Sequence, residues 1–176
     1  MIVAIGFILT AALGLAGCAP GGEALPSTPV ESIGPAMTVS PAVNQTRAEL
    51  VRVLGTANLV LTDTQQPVRP AESVLLGTAP RAVFQVTLPQ DPTRGYIVVY
   101  EFSDPNLSAQ AAAEEQRYLA TGPGRVQTPE GTVHVLRQVG STVVLYDWLP
   151  GAAKDPEAPD IQRTLETLGT GYPIDN

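Results

Sequence analysis

The sequence predicts an α+β fold: a two-layer sandwich in which a mainly antiparallel sheet of about five strands carries helices packed on one side. Three observations predict it. Apolar residues recur at helical spacing near both ends and in the middle of residues 44–176. Short alternating or wholly apolar runs, typical of strands, lie between these segments. Brief turn sequences join neighbouring strands, which favours hairpins over parallel crossovers. The expected order is α-β-β-β-α-β-β-α.

The first helix is predicted from a capping box at Thr46-Arg47-Ala48-Glu49, with a hydroxyl at the N-cap and a carboxylate three residues later. Apolar residues within 50–54 continue at helical spacing. Asn58 tolerates the left-handed conformation that ends many helices. Residues 59–62 are predicted as a short strand, and the proline-containing segment 64–79 as mostly loop.

The middle of the domain contains its strongest strand signal. Residues 82–88 alternate between apolar and polar, as a strand with one buried face does. Residues 96–102 are apolar on both faces, which predicts a central strand. Asp104-Pro105 then opens a helix, with Asp as the cap and Pro at the first helical position. This alanine-rich helix is expected to end at Gly122-Pro123-Gly124.

The last third of the chain predicts a hairpin and a helix. Residues 132–139 and 142–149 are strand segments joined by Gly140-Ser141, a pair suited to a tight turn. After a polar loop, Ile161, Leu165 and Leu168 are spaced as on one face of a helix, which Gly169 is expected to end.

The N-terminus has the features of an export signal. An uncharged apolar run at 2–16 is shorter than the roughly 20 residues of a membrane-spanning helix, and it leads into Leu15-Ala16-Gly17-Cys18. These residues resemble the lipobox of bacterial lipoprotein signal peptides, although no Lys or Arg precedes Cys18. The resemblance implies cleavage after Gly17, a diacylglyceryl group on the Cys18 sulfur and acylation of the new amine. The alternative is a buried apolar segment containing an ordinary buried cysteine.

Three parts of the chain follow from this interpretation. Residues 1–17 are the signal peptide, 18–43 are the lipidated cysteine with a flexible tether rich in Pro, Gly and Ser, and 44–176 are a single α+β domain. Two or more acyl chains anchor a protein stably. The expected location is therefore the cell membrane or the outer membrane, on the extracytoplasmic side. Ala19, where an Asp often retains lipoproteins at the inner membrane, mildly favours the outer one.

Composition excludes several kinds of partner and cofactor. The formal net charge is −7, and the ten basic residues are scattered, so a nucleic-acid partner is not expected. Cys18 is the only cysteine, which leaves the domain without a disulfide, a cysteine nucleophile or a cysteine metal site. We expect no metal and no cofactor.

Few residues suggest catalysis. His134 is the only histidine, and without a recognisable nucleophile it is expected to be a surface residue on a strand. Asp155, Glu157 and Asp160 do not have calcium-loop spacing, and helix capping explains them more simply. Glu114-Glu115 is expected to be a solvated helix face. Asp147 would need a partner if buried.

The aromatic residues give the one binding hypothesis. Tyr146 and Trp148 share one strand face, as do Tyr96, Tyr100 and Phe102. If helices cover only one side of the sheet, Tyr146 and Trp148 are candidates to bind a peptide, a glycan or an apolar ligand. The alternative, that the rings are core, is favoured by their type.

The chain also resembles small, uncharacterised lipoproteins of bacterial envelopes. The likeness is carried by the helix running into a strand at 50–61, by Val99-Tyr100-Glu101-Phe102-Ser103-Asp104 before an alanine-rich helix, and by the hairpin strand Val143-Val144-Leu145-Tyr146. It implies a fold and a location, and no activity.

The sequence thus predicts a membrane-anchored envelope protein that is a non-enzymatic binding or accessory module. Its partner is membrane lipid through Cys18, together with an unidentified envelope protein or small apolar ligand. One alternative is a secreted hydrolase that uses carboxylates such as Asp147 and Glu101. Another is a carrier of an apolar ligand, which needs an internal cavity.

Overall fold

The computed structural model describes residues 40–175. The predicted signal peptide, the lipidation site at Cys18 and nearly all of the predicted tether lie outside these residues. The described helices are α1 (Pro41–Gly55), α2 (Val74–Thr78), α3 (Pro105–Thr121), α4 (Pro123–Gln127) and α5 (Ala158–Leu165). The strands are β1 (Leu61–Asp63), β2 (Arg81–Val86), β3 (Tyr96–Glu101), β4 (Val133–Val139), β5 (Thr142–Trp148) and β6 (Thr170–Gly171).

The strands form one antiparallel sheet in the order β1-β2-β3-β5-β4-β6. The predicted α+β class and the mainly antiparallel sheet are confirmed. As expected, β3 is central, with β2 on one side and β5 on the other. The β4–β5 hairpin turns at Gly140, whose φ of 57° suits a glycine.

Helices cover both faces of the sheet, so the predicted two-layer arrangement with helices on one side is wrong. On one face, α1 and α5 bury Leu50, Leu54 and Ile161 against strand residues that include Val99 and Val144.

On the other face, α2 and α3 bury Leu76 and Leu119 against Val98, Val143 and Leu145. Adjacent residues of one strand thus belong to different cores, because successive side chains of a strand point to opposite faces. The domain has three layers, with helices on either side of the sheet.

Helix α1 begins earlier than the sequence pattern predicts. Ser40 is its N-cap and accepts a hydrogen bond from the backbone N–H of Val43 at 3.2 Å, and Pro41 lies at the first helical position. Thr46 lies inside the helix, where its hydroxyl is buried 2.7 Å from that of Thr142 on β5. The predicted capping box is therefore wrong, and the folded chain includes residues 41–43, which were assigned to the tether.

Three short elements were not predicted. Helix α2 interrupts the expected loop and buries Leu76 completely. Helix α4 follows α3 directly after Gly122. The two-residue strand β6 makes the sheet six-stranded. Among the helices described, none is long and apolar enough to cross a membrane.

Candidate functional site

A cavity of about 440 Å³ opens at the end of the sheet where β3 begins and β5 ends. Its walls come from these strand ends, from loop residues 88–95 before β3, from residues 68–70 before α2, and from the segment between β5 and α5. Each wall is an end of a strand or a loop, so the rigid sheet positions the side chains while loops close the space around them.

Aromatic rings form much of the wall. Tyr146 is 2 % exposed and Trp148 is half-buried, and both line the cavity together with Tyr96. The indole N–H of Trp148 donates to Oε1 of Gln162 on α5 at 3.0 Å, which fixes the ring. The structure thus places both sequence-predicted site residues at one site, although Tyr146 also packs in the core.

The other aromatic residues considered in the sequence lie elsewhere. Tyr100 is completely buried in the second core, and its hydroxyl donates to Glu72 at 2.7 Å. Phe102 packs against the same core. For these two rings the core interpretation is correct, because α2 and α3 cover their face.

The Tyr146 hydroxyl makes no hydrogen bond with any described residue. Burial, and secondarily the negative charge of Asp147, raise the pKa of this phenol well above its usual value, so the group stays protonated. A buried tyrosine hydroxyl normally has a partner. In the described part of the chain the buried side-chain oxygens without a partner belong to Ser73 and Glu115, so the Tyr146 oxygen is reached by solvent.

Asp147 and His134 form a cross-strand pair in the β4–β5 hairpin. Nδ1 of His134 donates to Oδ1 of Asp147 over 2.8 Å, and the two side chains are 1 % and 20 % exposed. The prediction of a surface histidine is wrong, because α3 and the residues after β6 cover this face of β4. Asp147 also lines the cavity, where its second oxygen has no partner in the described part of the chain.

Asp91 is a wall residue that the sequence reasoning missed. It is 7 % exposed, and the one hydrogen bond to its carboxylate comes from the Thr93 hydroxyl at 3.4 Å. Arg69 and Arg94 lie at the mouth and are largely exposed. The cavity thus has carboxylates in its wall and guanidinium groups at its rim.

A second buried carboxyl lies on α3. Glu115 is fully buried, and its Oε2 accepts a hydrogen bond from the backbone N–H of Ser73 at 2.7 Å. Its Oε1 and the Ser73 hydroxyl have no partner between residues 40 and 175. Burial raises the pKa of Glu115 to about 7, with smaller contributions from Asp147 and Glu72, while hydrogen bonding from Ser73 opposes the rise.

The predicted solvated face at Glu114-Glu115 is therefore wrong for Glu115. Glu114 also bonds to α2. Its Oε1 accepts a hydrogen bond from the backbone N–H of Leu75 at 3.3 Å. Together the two carboxyls hold α2 against α3.

Asp155, Glu157 and Asp160 do not converge. Asp155 accepts from the backbone N–H groups of Gln90 and Glu157, at 2.8 and 2.9 Å, which joins the loop before β3 to the start of α5. Asp160 pairs with Arg163. No group of three or more potential metal-binding side chains occurs in the described part of the chain.

The two carboxylates named for a hydrolase do not meet. Glu101 pairs with Thr142 at the start of β5, whereas Asp147 lies near the end of that strand. The alternation of side chains along β3 and β5 also places them on opposite faces of the sheet.

Comparison of the chain with protein-family models, with curated proteins and with solved structures gave no match. The site is therefore interpreted from its own geometry.

Proposed function

We propose that this chain is a lipid-anchored protein of a bacterial envelope whose α+β domain is a non-enzymatic module that binds a small ligand in the cavity. One observation carries the binding role. The Asp91 carboxylate is 7 % exposed in the cavity wall, and its one hydrogen bond within residues 40–175 comes from the Thr93 hydroxyl at 3.4 Å. A donor supplied by a bound ligand would complete the hydrogen bonding of this carboxylate.

The dimensions of the cavity favour a compact ligand. Small-molecule sites have volumes of about 300–1,000 Å³ and combine an apolar wall with a few polar groups. This cavity, at about 440 Å³, combines Trp148 and Tyr146 with Asp91 and Asp147. A purely apolar ligand would add no hydrogen bond to Asp91, whose one bond is long, or to the second oxygen of Asp147, so the polar wall supports a small ligand with polar groups over a lipid tail.

The binding role is tested by native mass spectrometry of protein purified from its own host. We expect a non-covalent small molecule on the wild type and much less of it on Trp148→Ala, because that substitution removes a wall of the cavity. Phe102→Ala is the matched control, since it truncates a half-buried aromatic that directly follows β3 and lies outside the cavity. Equal retention of the molecule by Trp148→Ala and Phe102→Ala would contradict the proposal.

The anchor is supported by Leu15-Ala16-Gly17-Cys18 after an uncharged apolar run. Replacing Cys18 by Ala removes the sulfur that would carry the diacylglyceryl group. We expect the wild type in the membrane fraction with an acylated N-terminal mass, and Cys18→Ala without that mass. Thr28→Ala, in the predicted tether, is the control and should fractionate like the wild type. Unmodified wild-type protein with an uncut N-terminus would refute the anchor.

The hydrolase alternative has less support. It depends on two carboxylates facing each other across a substrate, and Glu101 and Asp147 lie at opposite ends and on opposite faces of the sheet. Asp147 instead orients His134.

A further inference from the structure

The groups in the cavity wall need a particular kind of ligand. Three of them can form more hydrogen bonds than they make with residues 40–175: the Tyr146 hydroxyl, the Asp91 carboxylate and the second oxygen of Asp147. A carboxylate only accepts hydrogen bonds, and its two oxygens together accept about four. The bond to Asp91 is long, at 3.4 Å, and Asp147 has one partner. The two carboxylates therefore have room for further hydrogen-bond donors.

The charges around the cavity indicate which kind of hydrogen-bond donor a ligand should carry. Asp91 is 7 % exposed and the Asp147 side chain 20 %, so both carboxylates are largely removed from water. The guanidinium of Arg69 is 3.7 Å from Glu72 and its side chain is 64 % exposed, while Arg94 lies in solvent at the rim. Water screens charges at the rim far more than charges in the wall. The carboxylates in the wall therefore influence a bound ligand more than the guanidinium groups at the rim do, which favours a ligand with positive charge.

Aromatic rings favour the same ligand charge. Trp148 and Tyr146 line the cavity from one face of the sheet, and Tyr96 lines it from the face that carries Asp147. The faces of such rings attract cations, and indole attracts them most strongly. The net charge of −7 adds a long-range attraction for cations approaching the domain.

We infer that the cavity binds a small organic ammonium ion, whose N–H groups donate to Asp91 and whose apolar body lies against Trp148 and Tyr146, while Asp147 adds negative charge from the other face of β5. This inference rests on the proposed binding role and specifies its ligand class. The Tyr146 hydroxyl lies beside the charged end of the ligand and completes its hydrogen bonding.

Trp148 makes the test direct, because it is the only tryptophan in the chain and it lines the cavity. Its fluorescence, excited where phenyl groups do not absorb, is titrated with three probes of nearly equal size. These are phenethylammonium, neutral 2-phenylethanol and anionic phenylacetate. We expect a saturable change with phenethylammonium, at least about tenfold weaker binding of the other two, and weakening of the ammonium complex by salt.

The variants locate the charge recognition. Asp91→Asn and Asp147→Asn each remove one negative charge from the wall. We expect Asp91→Asn to weaken phenethylammonium binding by about tenfold, because a charged hydrogen-bonding pair is lost, and Asp147→Asn to weaken it less. Glu49→Gln is the matched control: it removes one exposed negative charge on α1, away from the cavity, and should bind as the wild type does. Tyr146→Phe deletes only a hydroxyl and serves if an Asn variant fails to fold; it should weaken binding less than loss of a carboxylate.

The outcomes separate the two proposals. Tighter binding of phenylacetate or 2-phenylethanol than of phenethylammonium would overturn the ammonium inference and leave the cavity as a ligand site. A ligand identified by native mass spectrometry that carries no amine would do the same. If no probe changes Trp148 fluorescence and no molecule co-purifies with the protein, both the inference and the proposed binding role are wrong.

Discussion

Glu115 shows how one residue can make the stability of the whole domain depend on pH. Its pKa rises from 4.5 to about 7 because the carboxyl is fully buried. The folded state therefore holds a proton that the unfolded chain releases at lower pH. The stabilisation from this proton is fully present below about pH 4.5 and is lost as the pH rises through about 7.

We predict that Glu115→Gln removes most of this pH dependence. Glutamine is uncharged at every pH and its carbonyl can still accept the hydrogen bond from Ser73. One pKa unit corresponds to about 1.4 kcal/mol, so the variant should be more stable than the wild type by up to roughly 3 kcal/mol at pH 8. Urea unfolding at pH 5 and pH 8 measures the difference. Glu114→Gln is the control, and wild-type and Glu115→Gln stabilities that fall in parallel would refute the prediction.

At the level of single residues, the sequence predicts the site only in part. Strand alternation identifies Tyr146 and Trp148 because they are two residues apart on one face. The His134–Asp147 pair is predictable from the sequence, since the tight turn at Gly140 fixes the register of the whole hairpin. The burial of Asp91 and Glu115 is not predictable, because no local pattern shows which loop or helix face another element will cover.

At the level of elements, the beginning of α1 depends on one hydroxyl. Ser40 accepts the hydrogen bond that caps the helix. Thr46 and Glu49, which have the spacing of a capping box, lie within α1, where their backbone N–H groups belong to the helix itself.

We predict that Ser40→Ala destabilises the domain by about 1 kcal/mol, the usual cost of losing a serine N-cap. Glu49→Gln breaks only an exposed ion pair with Arg52 and should cost less than about 0.5 kcal/mol. Thermal or urea unfolding of both variants measures the two costs. A larger loss of stability for Glu49→Gln than for Ser40→Ala would indicate that the capping box from Thr46 to Glu49 caps the helix instead of Ser40.

The connection from α5 to β6 depends on a glycine. Gly169 has a φ of 30°, and a Cβ at this position would overlap the backbone oxygen of Gln138 on β4. Backbone cannot give way as a flexible side chain can, so any larger residue must push β6 away from β4.

We therefore predict that Gly169→Ala destabilises the domain by more than about 1 kcal/mol and increases amide hydrogen exchange at Gln138. Gly55→Ala, at the end of α1, is the control because a Cβ there meets nothing within 4 Å. Alanine is the better helix former by about 1 kcal/mol at most, so Gly55→Ala should be neutral or stabilising. Equal effects of the two alanines would show that the contact with Gln138 is unimportant.

At the level of the whole molecule, the α+β class was predictable and the number of layers was not. The class follows from short strand segments joined by tight turns. The prediction that β3 is central is not compatible with the prediction that helices cover only one face of the sheet. A strand that is apolar on both faces needs cover on both faces, and α2 with α3 provides the second cover. Helix α2 is too short, and α3 too rich in alanine, for helical spacing alone to show which face they bury.

Adjacent valines on β5 test the three-layer arrangement. Val143 and Val144 are both completely buried, the first beneath α2 and α3 and the second beneath α1 and α5. We predict that Val143→Ala and Val144→Ala each lower the free energy of unfolding by about 2 kcal/mol, because each deletes two methyl groups from a packed core. Val126→Ala is the control, since Val126 is 85 % exposed on α4 and should lose almost nothing. A sheet with one open face would show a large loss at only one of the two β5 positions, whichever face the helices covered. Similar losses at both are expected only if separate cores lie on either side of the same strand.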